Sequence, residues 1–184
     1  MKKIYLILIS LCVMSISCDI DSSPQVIGFT SNQDGERSDV VAGPDDTVGV
    51  WESYIDAHNS RDADGIRDLN ADEFSAYGPA GEVVESSDAH IEFLTQWFET
   101  NNPRWTISWV ISNTGETLEG GVADFITAGH EVTLNVEGED ITVYQVIDAM
   151  IADGKVVSFN VFQQERGQPS VSYTHLTLPT KRIL

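Results

Sequence analysis

Two ionisable side chains of this sequence could transfer protons, and the first is a histidine in a helical pattern. His58 lies one helical turn after Tyr54, on an apolar stripe that also carries Val50, Trp51 and Ile55. The ordinary pKa of histidine is close to neutral pH, so His58 could act as a general base. A histidine on an apolar helix face is also common as a hydrogen-bonded core residue. The spacing therefore predicts either a base or a structural residue.

The second is Asp148, which lies in a segment that alternates with a period of two. Alternation places it on the same strand face as Tyr144, Val146 and Met150. Among apolar neighbours, desolvation would disfavour the charged carboxylate and raise its pKa, so that the acid could donate a hydrogen bond. The alternative is a structural carboxylate that is bonded to a helix or to a backbone amide.

The first half of the sequence predicts the elements that would hold these groups. The stripe around His58 predicts a helix that begins at Thr47, its candidate cap, and Asp62 is a typical cap for a short second helix from 63 to 69. A strand from 74 to 77 ends in the turn Gly78-Pro79-Ala80-Gly81. Ser86 or Ser87 would cap a third helix, which Asn101-Asn102-Pro103 would end.

After Pro103 the pattern changes from helical spacing to strand alternation. Trp105, Ile107, Trp109 and Ile111 alternate with smaller or polar residues, which predicts one apolar strand face. Further strands are predicted at 121–128, 131–136, 141–151 and 156–163, and Asp153-Gly154 indicates a hairpin. The predicted class is α+β, with three N-terminal helices packed on a curved, mainly antiparallel sheet.

The segment from 54 to 81, YIDAHNSRDADGIRDLNADEFSAYGPAG, resembles without a gap the opening of the nuclear transport factor 2-like superfamily, which includes SnoaL-like polyketide cyclases and ketosteroid isomerase. The resemblance implies a cone-shaped SnoaL-like fold. It also implies that Tyr54 and Asp148 would hydrogen-bond a developing enolate. The isomerase base falls on Gly78, which cannot accept a proton, so ketosteroid isomerase activity is disfavoured.

A cone of this kind would hold a small molecule among aromatic and polar side chains. The residues predicted to contact it are Tyr54, His58, Tyr77, Trp97, Tyr144, Asp148 and Phe159. Each of the aromatic residues could instead fill the core.

Composition and motifs argue against several other classes of function. The chain has 29 acidic and 10 basic residues and a net charge of −19, so a nucleic-acid partner is not expected. The histidines are scattered and no phosphate-binding glycine motif is present, so neither a metal nor a cofactor is expected.

The two ends of the chain suggest where the protein is located and where its globular domain begins and ends. Residues 1–17 have the pattern of a signal peptide, and Ser15-Ile16-Ser17-Cys18 resembles a bacterial lipobox, which predicts lipidation of Cys18. A plain signal peptide with an incidental cysteine is the alternative. Residues 18–46 would form a flexible acidic tether, 47–166 the SnoaL-like domain and 167–184 a disordered tail. This tail includes VSYTHLTLPT, which resembles a translated sequencing adapter, so it is predicted to be non-native.

The sequence thus predicts a domain anchored by lipid in a bacterial cell envelope that binds a small, mostly apolar molecule. One alternative is a cyclase-type or isomerase-type proton-transfer enzyme in which Asp148 acts as acid and base, with His58 or Tyr54 assisting. Another is a homodimeric interaction module that pairs through the sheet face at 105–112 and 132–136.

Overall fold

Three helices and one eight-stranded sheet make up residues 23–166, the part of the chain that the computed structural model describes. The elements in chain order are β1 (Val26–Ser31), β2 (Arg37–Ala42), α1 (Asp45–Ser60), α2 (Ala63–Leu69), β3 (Asn70–Tyr77), β4 (Val83–Val84), α3 (Ser87–Asn101), β5 (Arg104–Glu116), β6 (Val122–Val136), β7 (Glu139–Ala152) and β8 (Lys155–Gln164). The α+β class is confirmed.

Helix α1 begins two residues earlier than the sequence predicted. Pro44 precedes the first turn with φ of −71°, and the acidic residues Asp45 and Asp46 lie where the helix dipole favours negative charge. Thr47, the predicted cap, is buried inside the first turn, and its hydroxyl donates to the carbonyl of Pro44 over 2.6 Å. The start of α1 therefore depends on Pro44 and on the acidic first turn. The prediction that the Thr47 side chain caps this helix was wrong.

The other helix caps were predicted correctly. The Asp62 carboxylate accepts from the backbone N–H of Gly65 at the start of α2, and the Ser86 hydroxyl accepts from Ala89 at the start of α3. Asn102 ends α3 in the left-handed region with φ of 40°. These residues therefore mark where α2 and α3 begin and where α3 ends.

The sheet has the order β1-β2-β5-β6-β7-β8-β3-β4 and is antiparallel except where β3 runs parallel to β8. Strand β6 is continuous, although the sequence predicted a break after residue 128. Gly129 stays in the ladder, paired with Trp109 on β5 and Val146 on β7. A side chain at 129 would lie 2.2 Å from the Trp109 ring nitrogen, so glycine here serves packing rather than a turn.

A β-bulge in β5 changes which aromatic residues face inward. The register shifts between Ile107 and Trp109, so that Trp105, Ile107 and Val110 pack on the core. Trp109 is 44% exposed and Ile111 is 51% exposed on the other face. The uninterrupted alternation predicted for this strand was therefore wrong after residue 107.

The predicted flexible tether is partly a hairpin. Strands β1 and β2 pair with each other, and Val41 and Ala42 extend the sheet by pairing with β5. The Asn32 carboxamide accepts from the backbone N–H groups of Asp34 and Glu36, which closes the turn. Two strands thus precede the helices, so the helices are not N-terminal. The predictions for the leader, Cys18 and the tail lie outside the described residues.

The core lies between α1, α3 and the inner face of the sheet. Trp51 and Tyr54 from α1 and Leu94 from α3 pack against Ile126 on β6 and Ile147 on β7. Within residues 23–166 no helix is both long enough and apolar enough to cross a membrane.

Candidate functional site

A cavity of about 310 Å³ lies between α1, α3 and the inner face of the sheet, which is the size of a small-molecule site. Six aromatic side chains line it: Trp51, Tyr54, Phe93, Trp97, Trp105 and Phe159. The rest of its floor is mainly aliphatic, so a ligand would bury apolar surface there.

A buried hydrogen-bond network centred on Asn70, the first residue of β3, joins Tyr54 and His90, which both line the cavity. The Tyr54 hydroxyl donates to Asn70 Oδ1 over 2.7 Å, and Asn70 Nδ2 donates to Ser87 Oγ at 3.0 Å and to His90 Nδ1 at 3.3 Å. Burial raises the pKa of Tyr54 well above its ordinary value. Tyr54 is therefore a neutral phenol whose proton is directed at Asn70.

Two histidines of the floor are held neutral at pH 7. The pKa of His58 is lowered to about 4, mainly by burial; the bond to the Tyr54 carbonyl opposes this lowering and the charge of Arg61 adds to it. Burial and the neighbouring His58 lower the pKa of His90 to about 3. Their rings are close, with centroids 5.5 Å apart, so the two could not both be protonated without strong repulsion.

Hydrogen bonds assign opposite tautomers to the two rings. His58 Nδ1 donates to the Tyr54 carbonyl over 2.7 Å, which leaves Nε2 as an acceptor. His90 Nδ1 accepts from Asn70, so its proton lies on Nε2. Among the described residues, His130 Nδ1 is the sole buried side-chain nitrogen or oxygen without a partner. The Nε2 atoms of His58 and His90 bind no other described residue, and both histidines line the cavity, so the tautomers make one ring an acceptor and the other a donor at Nε2.

A chain of hydrogen bonds from an indole through two amide side chains, which the sequence did not predict, runs along one wall of the cavity to its mouth, the solvent-exposed end. The Trp105 indole N–H donates to Gln145 Oε1 at 3.2 Å, and Gln145 Nε2 donates to Gln163 Oε1 at 2.9 Å. Gln145 is buried, whereas Gln163 is exposed. The alternation of β7 contained the signal, because Gln145 shares a face with Val143 and Ile147.

The mouth of the cavity carries one carboxylate, which the sequence did not predict either. Glu82 follows the turn after β3 and lines the cavity with Gly78 and Phe93. Its Oε2 accepts from the backbone N–H of Ala80 over 2.9 Å. A side chain at 78 would lie 2.3 Å from that same oxygen. The space beside Gly78, where the resemblance to ketosteroid isomerase would place the base, is therefore occupied by the carboxylate of Glu82.

Asp148 does not lie in the cavity, so the predicted pairing with Tyr54 is wrong. Its strand neighbours Ile147 and Ala149 face the core, and Asp148 points to the opposite face, where the Thr127 hydroxyl donates to it over 2.8 Å. The alternation of β7 was identified correctly, but its two faces were assigned the wrong way round.

Two further predicted contact residues also lie away from the cavity. Tyr144 shares the outer face with Asp148 and packs under the Arg166 guanidinium, 3.9 Å from its ring centroid. Tyr77 is 44% exposed and does not line the cavity. Of the seven predicted contact residues, those that line the cavity are Tyr54, His58, Trp97 and Phe159. Their role in binding stays a prediction.

No group of three or more histidine, cysteine, aspartate or glutamate side chains in residues 23–166 is placed to hold a metal ion.

The family model described as a SnoaL-like domain matches residues 51–159. The chain belongs to this family. The match begins at Trp51 in α1 and ends at Phe159 in β8, so it spans the elements that enclose the cavity. No curated protein matches the chain.

Solved structures share the SnoaL-like fold at low sequence identity. The proposed ketosteroid isomerase of Kribbella flavida DSM 17836 is 17% identical, with 78% of this chain and 93% of that chain covered and a TM-score of 0.56. The proposed SnoaL-like polyketide cyclase of Jannaschia sp. CCS1 is 20% identical, with 65% and 85% covered and a TM-score of 0.51. An LEH-like epoxide hydrolase of M. tuberculosis is 10% identical, with 65% and 83% covered and a TM-score of 0.53. At these identities the likeness shows the fold alone.

Proposed function

We propose that this SnoaL-like domain binds a small, flat, mostly apolar molecule in its cavity, with a polar group of the ligand placed between His58 and His90. The observation that carries the proposal is an aromatic-lined cavity of about 310 Å³ whose floor offers one hydrogen-bond acceptor and one donor. A hydroxyl, an enol or a carboxylic acid matches that pair, because each both donates and accepts.

The test compares two flat probes that differ by a hydroxyl. Isothermal titration calorimetry of the full chain should show 2-naphthol binding about fivefold more tightly than naphthalene, since a buried hydrogen bond contributes about 1 kcal/mol. His58→Gln should remove most of that advantage. His130→Gln is the matched control, because His130 is also buried with its pKa lowered to about 4 but does not line the cavity. Failure of both probes to bind would refute the proposal.

Proton transfer within the same cavity is a second candidate. His58 Nε2 is an unpartnered acceptor close to a fixed donor, an arrangement in which a ketone could lose an α-proton while its oxygen is hydrogen-bonded. NMR would follow deuterium exchange into the α-position of 2-tetralone in D₂O. Catalysed exchange that His58→Gln abolishes and His130→Gln retains would support an enzyme, and exchange at the buffer rate would exclude it for this ketone.

We also propose a lipid anchor at Cys18, which would place the domain in a bacterial cell envelope. The supporting pattern is the apolar leader that ends in Ser15-Ile16-Ser17-Cys18. Metabolic labelling with an alkyne fatty acid in a bacterial host should mark the chain. Cys18→Ser should lose the label, whereas Cys12→Ser, inside the leader, should keep it. A labelled Cys18→Ser chain would contradict the anchor.

Self-association through the outer sheet face is proposed as a property of the domain rather than its function. Trp109, Ile111 and Phe162 expose apolar surface on that face. Light scattering should give a dimer that Trp109→Glu converts to a monomer, and a monomeric parent chain at high concentration would contradict it.

A further inference from the structure

We infer that the cavity of this domain selects organic cations, in which an ammonium group at the mouth is attached to an apolar body. The inference rests on the proposed binding function and adds the charge of the ligand to it. The groups that carry it are the Glu82 carboxylate and the rings of Phe93 and Trp97, all of which line the cavity.

The backbone of the turn after β3 fixes where the Glu82 carboxylate lies. The N–H of Gly78 donates to the Glu82 carbonyl over 2.9 Å, and the N–H of Gly81 donates back to the Gly78 carbonyl over 3.1 Å. Gly81 has φ of 92°, a conformation that glycine adopts without strain. The N–H of Ala80 then holds the carboxylate itself. The acid is thus folded back over Gly78, where any side chain would displace it.

No cation of the described residues neutralises this carboxylate. Glu82 is the sole acidic residue that lines the cavity, and neither lysine nor arginine lines it. His58 and His90 at the floor are neutral at pH 7 because burial depresses the pKa of each. The described ion pairs join other residues: Arg67–Asp64, Arg67–Asp88 and Arg104–Asp140. The mouth therefore carries an uncompensated negative charge.

Two aromatic rings that line the same cavity as Glu82 favour a cation over a neutral ligand. Phe93 and Trp97 lie on one face of α3, with ring centroids 6.3 Å apart and planes at 17°. Phe93 lines the cavity and is 42% exposed. The negative face of an aromatic ring attracts an ammonium group by about 0.5–2 kcal/mol, most strongly when the ring is Trp. The net charge of −19 would also raise the concentration of cations near the domain.

The experiment uses two probes of the same shape, phenyltrimethylammonium and tert-butylbenzene, which differ by a single charge. Calorimetric titration of the full chain should show the cation binding about tenfold more tightly, and the preference should shrink as salt screens the exposed carboxylate. Glu82→Gln keeps the size of the side chain and should weaken binding of the cation about threefold to tenfold, with tert-butylbenzene unaffected. Glu73→Gln is the control, since it removes the same charge from an exposed residue outside the cavity.

Each outcome is decisive. Equal affinities, or tighter binding of tert-butylbenzene, would overturn the cation preference while leaving cavity binding intact. If neither probe binds, the proposed function fails and the inference fails with it. If Glu73→Gln weakens cation binding as much as Glu82→Gln does, the preference arises from overall charge and the site at the mouth is refuted. Thermal unfolding of each variant confirms that its fold is retained.

Discussion

Acidification from pH 7 to pH 5 should destabilise this domain through its buried histidines. His58, His90 and His130 are each less than 6% exposed. Burial lowers the pKa of His58 and of His130 to about 4, and that of His90 to about 3. An unfolded chain would titrate each at its ordinary value of about 6.5. Between these values the unfolded state binds protons that the folded state does not, so stability falls as pH falls.

The size of the effect follows from the same pKa values. At pH 5 an unfolded histidine is almost fully protonated, whereas these three remain almost neutral in the folded state. Each then removes about 2 kcal/mol of stability relative to pH 7, or about 6 kcal/mol for the three. Typical domains have about 5–15 kcal/mol of total stability, so this loss would be large. Below pH 5 carboxylates also begin to protonate, which restricts the test to higher pH.

Urea unfolding followed by circular dichroism at half-unit intervals from pH 7 to pH 5 measures this loss. Near pH 5 the free energy of unfolding should change by about 4 kcal/mol per pH unit, the slope for three protons. His58→Gln should reduce that slope by about one proton, or about 1.4 kcal/mol per pH unit. A flat stability profile from pH 7 to pH 5, or an unchanged slope in His58→Gln, would refute the assignment of neutral buried histidines.

Three further results are expected. Tyr54→Phe should lower the free energy of unfolding by about 1–3 kcal/mol, because it leaves buried Asn70 Oδ1 without its donor. Denaturant titration checks this, and a neutral result would mean that water replaces the hydroxyl. Asp148→Asn should leave ligand affinity within about twofold, because the residue bonds Thr127 on the face away from the cavity. A large loss of affinity would restore Asp148 to the site. Gly43→Ala should loosen the β1–β2 hairpin, since a side chain there would lie 2.7 Å from a backbone nitrogen of β5. Hydrogen exchange of residues 26–42 would then rise, and unchanged protection would contradict the close approach.

The fold was predictable where local chemistry decides the outcome. The Asp62 and Ser86 caps, the Asp153-Gly154 hairpin and the apolar stripe of α1 each depend on residues within a few positions of one another. The N-terminal hairpin was missed because its two strands are only six residues long and lie in a stretch rich in Ser, Asp, Gly and Pro, and because β2 is held by pairing with β5, about 70 residues away. The composition of a strand does not reveal which distant strand it will pair with.

The candidate site was predictable in part for the same reason. Tyr54 and His58 share one helix face, so helical spacing was enough to place them together. The alternation of β7 could not show which face is covered by helices, because both faces carry apolar residues. The bulge in β5 likewise turns Trp109 outward without any sequence signal that alternation could detect.

The sequence by itself determined the family, the caps of α2 and α3 and the placing of Tyr54 and His58 on one helix face, because these depend on residue types and short spacings. Tertiary structure alone decided that His58 and His90 carry opposite tautomers, since their partners are a backbone carbonyl and Asn70. It also decided that Asp148 lies outside the cavity and Glu82 at its mouth. The direction of a side chain is set by which surface the sheet buries and by how a turn closes, and both depend on contacts between distant parts of the chain.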